Sequence, residues 1–457
     1  IAQISLVCIV LFFGLFFRFY SLDHLSYWGD EETSSLPAKS LVQGGGANFP
    51  SGMEYRRGLP HTYLMAQTVK SLDNDTDFSY RLPSAVLGSA TLFIFFFFVY
   101  RFFGFNVALV STILLSFSEW HLLLSRTARM YGPMLLFSVT FYYFIFLWHQ
   151  KKRPIYIFSA VLSILISVSF NFLAVLALPL FIIPLLYGRM DVRHLAISAV
   201  ASGVVALASI AYFKLYVTAP YRAIIPADPG IQNTSDPNNL IHQVISQMNL
   251  ETILAALFSL ALALVTYRRL SVFTKWKNNL IACIFLFTSI LGAYLFGLLG
   301  HFFASFIFSI FIISIIEIRS SAAVSALRFP VFALLSALLF WTIFYINEYG
   351  ATEGIKKLFR YPFPYILYQA NIFYGLVLLF FVGLFYSSLK HGEKQNFVWA
   401  AGVSYLIVSL FVGFMYDWPP PRYMVTVYPL LIIVASYGLV CLSDQIQSRF
   451  GKIKFFH

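Results

Sequence analysis

The chain of 457 residues is 59% hydrophobic and 19% aromatic, and only 11% of it is charged. Soluble domains carry about 25% charged residues, so the composition excludes an ordinary soluble enzyme and predicts a polytopic membrane protein. The formal net charge of +12 reads as basic residues beside the inner leaflet, so no nucleic-acid partner is expected.

A membrane-spanning helix needs about 20 apolar residues. Residues 1–20 have the length of a signal peptide but lack a small-residue cleavage site, and read as an uncleaved first span. Because the sequence opens on Ile1 rather than Met, residues ahead of it are expected. Further spans are predicted near 82–103, 105–124, 130–148, 154–170, 172–187, 193–213, 251–266, 279–297, 300–317, 328–346, 371–389, 397–415 and 424–443, which makes thirteen or fourteen in all. The least marked divisions are at Ser169–Asn171 and Gly297–His301. Cys8, Cys283 and Cys441 fall inside apolar runs without metal-ligand spacing and read as small core residues.

With a cytoplasmic N-terminus, the short connections holding Arg101, Lys151, Lys152, Arg153, Arg189, Arg193, Arg268 and Arg269 face inward, as the positive-inside bias requires. The loops 21–81, 214–250, 347–370 and 416–423 then face outward with most of the acids. The whole chain, 1–457, reads as a single transmembrane unit without a separate soluble domain. Its first outer loop offers two amphipathic segments, roughly 31–43 and 60–71, on either side of Gly44-Gly45-Gly46.

Four constellations on that outer side carry chemistry. Trp28-Gly29-Asp30-Glu31-Glu32 sets three carboxylates beside the bilayer, where they serve as a helix N-terminal cap, as a proton acceptor or cation ligand, or as both. Arg126 and Arg129 share a helical face in Arg126-Thr127-Ala128-Arg129-Met130-Tyr131, which suits a phosphate clamp or a headgroup anchor. Glu119 is expected to be their ion-pair partner. Asp417-Trp418-Pro419-Pro420-Pro421-Arg422-Tyr423 holds Arg422 and Tyr423 at a fixed depth, as an interfacial anchor or as part of a site. Arg56-Arg57-Gly58-Leu59-Pro60-His61 sets two arginines toward an anionic headgroup, with His61 as an accompanying polar group. Lys356, Lys357 and Arg360 make a further basic outer patch, and Arg222 a weaker one. The sequence has no Walker loop, no dinucleotide fingerprint and no metalloprotease His pair, and the spans hold no mid-membrane carboxylate relay.

The first span, the Asp30-Glu31 pair at the head of a long outer loop, the Gly58–Tyr63 stretch, Ala128-Arg129-Met130-Tyr131 and Arg422-Tyr423 ahead of Pro429 together resemble the GT-C membrane glycosyltransferases. The nearest likeness is to the protein O-mannosyltransferase and aminoarabinose-transferase branch of bacterial polyprenyl-phosphate-sugar enzymes. The resemblance implies an all-α polytopic GT-C-like fold in the bacterial inner membrane, with the active site facing the periplasm. It also implies an inverting transfer of a sugar from a polyprenyl-phosphate donor to a hydroxyl or amine on a lipid, glycan or protein acceptor. By that likeness Asp30 is the base, with Glu31 beside it. Arg129, Arg57, Arg422 and Arg126 hold the donor phosphate, and Tyr131, His61 and Tyr423 line the substrate. The chain departs from the aminoarabinose transferases at Gly132, where they place an acid before Pro-Met, so a divalent cation stays an open part of the resemblance. The residue types suit the chemistry. A phosphate already leaves well, so one base and a few arginines suffice, without the paired carboxyls of glycoside hydrolysis. A transporter of lipid-linked saccharides is the competing reading; it would use the same arginines but would not need Asp30.

Overall fold

In a computed structural model, the residues described are 2–24, 26–27, 29–181, 192–218, 374–389, 392–415 and 421–450. The spans expected between 251 and 346, the loops 347–370 and 416–420, and the basic patch at Lys356–Arg360 lie outside them. Every described element is helical apart from one isolated bridge between Asn48 and Glu54. Helix α1 (Ala2–Phe19) is followed by two short surface helices, α2 (Gly29–Val42) and α3 (Leu59–Leu72), close to the amphipathic segments expected. Then come α4 (Asp77–Phe103), α5 (Phe105–Ser116), α6 (Glu119–Arg126), α7 (Tyr131–Lys151) and α8 (Pro154–Phe170). A 3₁₀ stretch (Phe172–Phe181), α9 (Val192–Ala211), a π turn (Tyr212–Val217), α10 (Tyr374–Leu389), α11 (Glu393–Met415), a 3₁₀ turn (Pro421–Met424) and α12 (Tyr428–Phe450) complete the order.

Among the described residues, four helices are long and apolar enough to cross a membrane by length and composition, or five if a bent pair counts as one span. That pair is the stretch expected as a single span at 105–124: α5 and α6 meet at a 57° bend. Ser118 explains the break, because its hydroxyl accepts the His121 N–H and starts a new helix. The buried Arg18 donates to the carbonyls of Leu115 and Ser116 at the break. Similarly, the run expected as a span at 172–187 forms a 3₁₀ helix over Phe172–Phe181 rather than an α-helix.

The lipid-facing surfaces are apolar. Ile4, Phe12, Phe13 and Phe16 of α1, Phe97 of α4, and Ile155 and Phe158 of α8 are exposed. Inside, an aromatic cluster of Phe98, Phe102, Phe146 and Phe397 ties α4, α7 and α11 together, with Phe146 and Phe397 stacked at 4.5 Å. Glycine lets backbones approach where two helices meet: Gly88 of α4 lies against Ser125, and Gly438 of α12 against Gly383 of α10. Surface helices α2 and α3 rest on the start of α4 through Ala38, Met65, Val69 and Tyr80. A Lys39–Asp75 pair at 2.9 Å and a Tyr80 hydroxyl donating to Asp75 staple this layer, and both bonds hold the Asp75 carboxyl below its ordinary range.

Candidate active site

The surface layer and the bundle beneath it enclose a cleft of about 240 Å³. Arg57, Arg129, Tyr131, Arg422 and Tyr423 line it, together with Ser169–Leu173, where α8 is interrupted, and Tyr212 and Phe213 of the π turn. Five residues picked out from three separate stretches of sequence therefore meet in one cavity. Its other wall, at the interrupted end of α8, was read from sequence only as an unclear division between spans.

Each side chain is delivered by a local device. Gly58 starts α3 in the left-handed region (φ 63°), and a Cβ there would lie 2.9 Å from the Phe170 carbonyl and 3.0 Å from Met130 Cγ. Only glycine lets the Arg57–Gly58 turn close onto the cleft. Arg56 turns the other way: it pairs with Glu54 at 2.6 Å, donates to the Tyr216 carbonyl and stacks 4.8 Å over the Tyr216 ring. Arg129 is buried, and its Nη1 donates to the Asp30 carbonyl (2.6 Å) and to the hydroxyls of Thr33 (2.9 Å) and Ser34 (2.7 Å). Its Nε is buried without a hydrogen-bond partner, so donor capacity is left for an anion.

Asp30 stands at the rim, where its carboxylate accepts a bond from Arg422 at 2.5 Å. Glu31 lies behind it and is only 2% exposed. Arg81 Nε and Nη2 grip both Glu31 oxygens at 2.9 and 3.0 Å, and the Ala128 N–H donates to Glu31 Oε1 at 2.7 Å. Arg81 also donates to the Leu22 carbonyl (3.0 Å), and its guanidinium lies 5.0 Å from the Tyr27 ring. This buried knot fastens α2, the Ala128–Arg129 turn and the start of α4 to each other. Arg81 escaped the sequence reading because it sits where a loop was expected to enter a span. The signal that could have found it is a lone arginine at the outer end of an apolar run, where the positive-inside bias does not place one.

Arg126 and Glu119 do not reach the cleft. Arg126 donates to the carbonyls of Phe17, Tyr20 and Ser21 at 2.6–2.8 Å, closing the C-terminal end of α1, and this replaces its expected contact with phosphate. Glu119 sits in the first turn of α6, while Arg126 ends that helix and Arg129 bonds to α2, so the expected ion pair does not form. His61 lies beneath the site rather than in it: it is 1% exposed, with its Nε2 3.2 Å from the Ser84 hydroxyl, which in turn donates to the Arg129 carbonyl. Burial, and then the charge of Arg129, hold its imidazole down at about 3, so it is neutral and supports the Arg129 turn. Burial keeps the Tyr423 phenol above its ordinary value, so it stays a hydroxyl that can donate.

Among the described residues, no group of three or more His, Cys, Asp or Glu is arranged to hold a divalent cation. Gly132, the position where the aminoarabinose transferases carry an acid, packs so tightly that a Cβ would lie 2.9 Å from the Ser84 carbonyl. The carboxylates of Asp30 and Glu31 are already engaged by arginines.

Residues 59–215 match the family described as dolichyl-phosphate-mannose-protein mannosyltransferase. No curated protein sequence matches the chain. Among solved structures, the chain is similar to the archaeal oligosaccharyltransferase AglB of Archaeoglobus fulgidus, in complex with an inhibitory peptide and a dolichol-phosphate. The identity is 10% and the TM-score 0.50, over 98% of this chain and 51% of that one. It therefore spans about half the length of that relative. ArnT of Cupriavidus metallidurans bound to undecaprenyl phosphate aligns at 13% identity and a TM-score of 0.36, over 98% of this chain and 78% of the other. The fold is an all-α GT-C membrane fold.

Proposed function

We propose that this GT-C chain is an inverting glycosyltransferase that moves a sugar from a polyprenyl-phosphate donor to an acceptor hydroxyl or amine. The observation that carries this reading is the convergence of Arg57, Arg129 and Arg422 on one cleft, with the Asp30 carboxylate at its rim. The donor phosphate lies among the arginines and the sugar sits in the cleft. An acceptor O–H or N–H approaches Asp30. The acceptor atom forms a bond to the anomeric carbon as the bond from that carbon to the phosphate oxygen breaks. The electron pair leaves with the phosphate, and the acceptor proton passes to Asp30. A single displacement inverts the anomeric centre. Arginines positioned before reaction stabilise the departing charge, at about 10²–10³ in rate for each well-placed donor. Glu31 is a positioning residue in this scheme, because it fixes the Ala128–Arg129 turn under α2.

The site faces outward in this reading. Tyr131 of α7 and Phe170 of α8 lie at the cleft, while Arg101, Lys151 and Arg153 mark the opposite ends of α4, α7 and α8. Those are the ends that the positive-inside bias assigns to the cytoplasm.

The test supplies purified protein in lipid nanodiscs with radiolabelled polyprenyl-phosphate sugars and extracted membrane acceptors. Label is expected to appear in acceptor, and Arg129→Ala is expected to lose donor binding. Transfer from none of the donors, or donor binding unchanged in Arg129→Ala, would overturn the proposal.

A further inference from the structure

The Asp30–Arg422 pair joins the two halves of the proposed chemistry in a way that neither half requires. Arg422 lines the cleft with Arg57 and Arg129, yet its Nη1 is bonded to the Asp30 carboxylate at 2.5 Å. The two residues lie 392 positions apart in sequence, so this contact closes the cleft between α2 and the turn that precedes α12.

We infer that Arg422 has two alternative partners, Asp30 and the donor phosphate, so that arrival of the phosphate releases the Asp30 carboxylate and donor must bind before acceptor. The inference rests on the reading of the cleft as a polyprenyl-phosphate site. Three features of the pair support an exchange. First, it is easily opened: the side chains of Arg422 and Asp30 are 29% and 32% exposed, so parting them strands neither charge away from water. Glu31 and Arg81, at 2% and 4%, have no such freedom. Second, the backbone beside Arg422 is anchored, because Met424, Val425 and Val427 are buried, so the exchange is made by the long side chain rather than by the main chain. Third, a carboxylate that accepts from a guanidinium has part of its lone-pair capacity occupied, and a phosphate oxygen satisfies the same fork geometry. The resting pair thus holds the base away from an acceptor until the leaving group is in place, which guards against deprotonating an acceptor with no sugar to receive it.

Competition for one residue has a thermodynamic signature. If Asp30 and the phosphate exclude each other at Arg422, removing the carboxylate strengthens phosphate binding. The measurement is the affinity of undecaprenyl phosphate for the full chain in nanodiscs, for the wild type, Asp30→Asn, Arg422→Gln, the double variant and Glu32→Gln. Glu32 is exposed two positions from Asp30, so its neutralisation reports the general effect of removing a negative charge. Asp30→Asn is expected to bind undecaprenyl phosphate about five-fold more tightly, the scale of a half-exposed ion pair. The gain should be absent in Glu32→Gln and lost in the double variant. Asp30→Ser repeats the test with a side chain that suits a helix start.

Equal or weaker binding by Asp30→Asn and Asp30→Ser would overturn the exchange, as would an equal gain in Glu32→Gln or a gain that survives Arg422→Gln. A folded wild type that does not bind the lipid would overturn the cleft reading itself, and the inference with it. Wild-type binding without the Asp30→Asn gain would overturn the inference alone.

Discussion

Asp30 and Glu31 are neighbours in sequence, yet the fold gives them opposite environments. Asp30 shares a half-open ion pair with Arg422 at the rim of the cleft, whereas Glu31 is sealed against Arg81 and the Ala128 amide. The same division recurs twice: Arg57 enters the cleft while Arg56 fastens the loop to Tyr216, and Arg129 enters while Arg126 closes α1. Successive residues on a tight turn or helix start point in different directions, and Arg126 and Arg129 part because α6 ends at Arg126, so a polar pair supplies one group for the site and one for its mounting. At Asp30 and Glu31 the difference is burial: the bond sealed from water is part of the scaffold, and the one at the rim stays available for exchange.

The sharpest way to break this comparison is to remove the sealed partner. Glu31→Gln removes the carboxylate that Arg81 grips with two nitrogens, which costs about 3–5 kcal/mol when a buried pair is halved. Thermal unfolding in nanodiscs should show a large drop for Glu31→Gln and for Arg81→Gln, and almost none for Asp30→Asn. Equal drops at the two acids would erase the distinction between scaffold and site.

A smaller effect is expected at the Arg57 turn. Gly58→Ala places a Cβ against the Phe170 carbonyl in a left-handed conformation, at a cost of about 1–2 kcal/mol. The expected kinetic outcome is a raised KM for the lipid donor, because the turn that aims Arg57 must shift. Unchanged stability and KM would show that the glycine is not needed there.

The smallest effect at neutral pH concerns His61, whose contribution appears only in acid. Its native value of about 3 lies below the ordinary 6.5, so the unfolded chain takes up a proton that the native chain refuses. Stability therefore falls as pH falls from 6.5 toward 3, by at most about 1.4 kcal/mol per pH unit from this group. His61→Gln should flatten that slope between pH 6.5 and 4 relative to wild type; an unaltered slope would contradict a buried neutral imidazole.

The sequence made the membrane class, the two surface helices and the cluster of site motifs legible, because each depends on local pattern: apolar run length, amphipathic spacing, or paired charges in an outer loop. It did not make legible which member of a doublet faces the cleft. That choice is set by long-range partners such as Arg81 for Glu31 and the α1 carbonyls for Arg126. The break within 105–124 was hidden for a similar reason: the run is uniformly apolar, and the bend depends on the Ser118 cap and on Arg18, about a hundred residues earlier in the chain. Arg18 itself read as a charge at the end of a span, and its role in closing the break shows only once α1 and α5 are side by side.

The central claim is that Asp30 receives the acceptor proton while the arginines hold the donor. The most direct measurement is single-turnover transfer by Asp30→Asn loaded with a radiolabelled polyprenyl-phosphate sugar. The account predicts a folded variant that retains the donor and transfers about 10²–10⁴ times more slowly than wild type. Transfer at the wild-type rate from that loaded variant would contradict it.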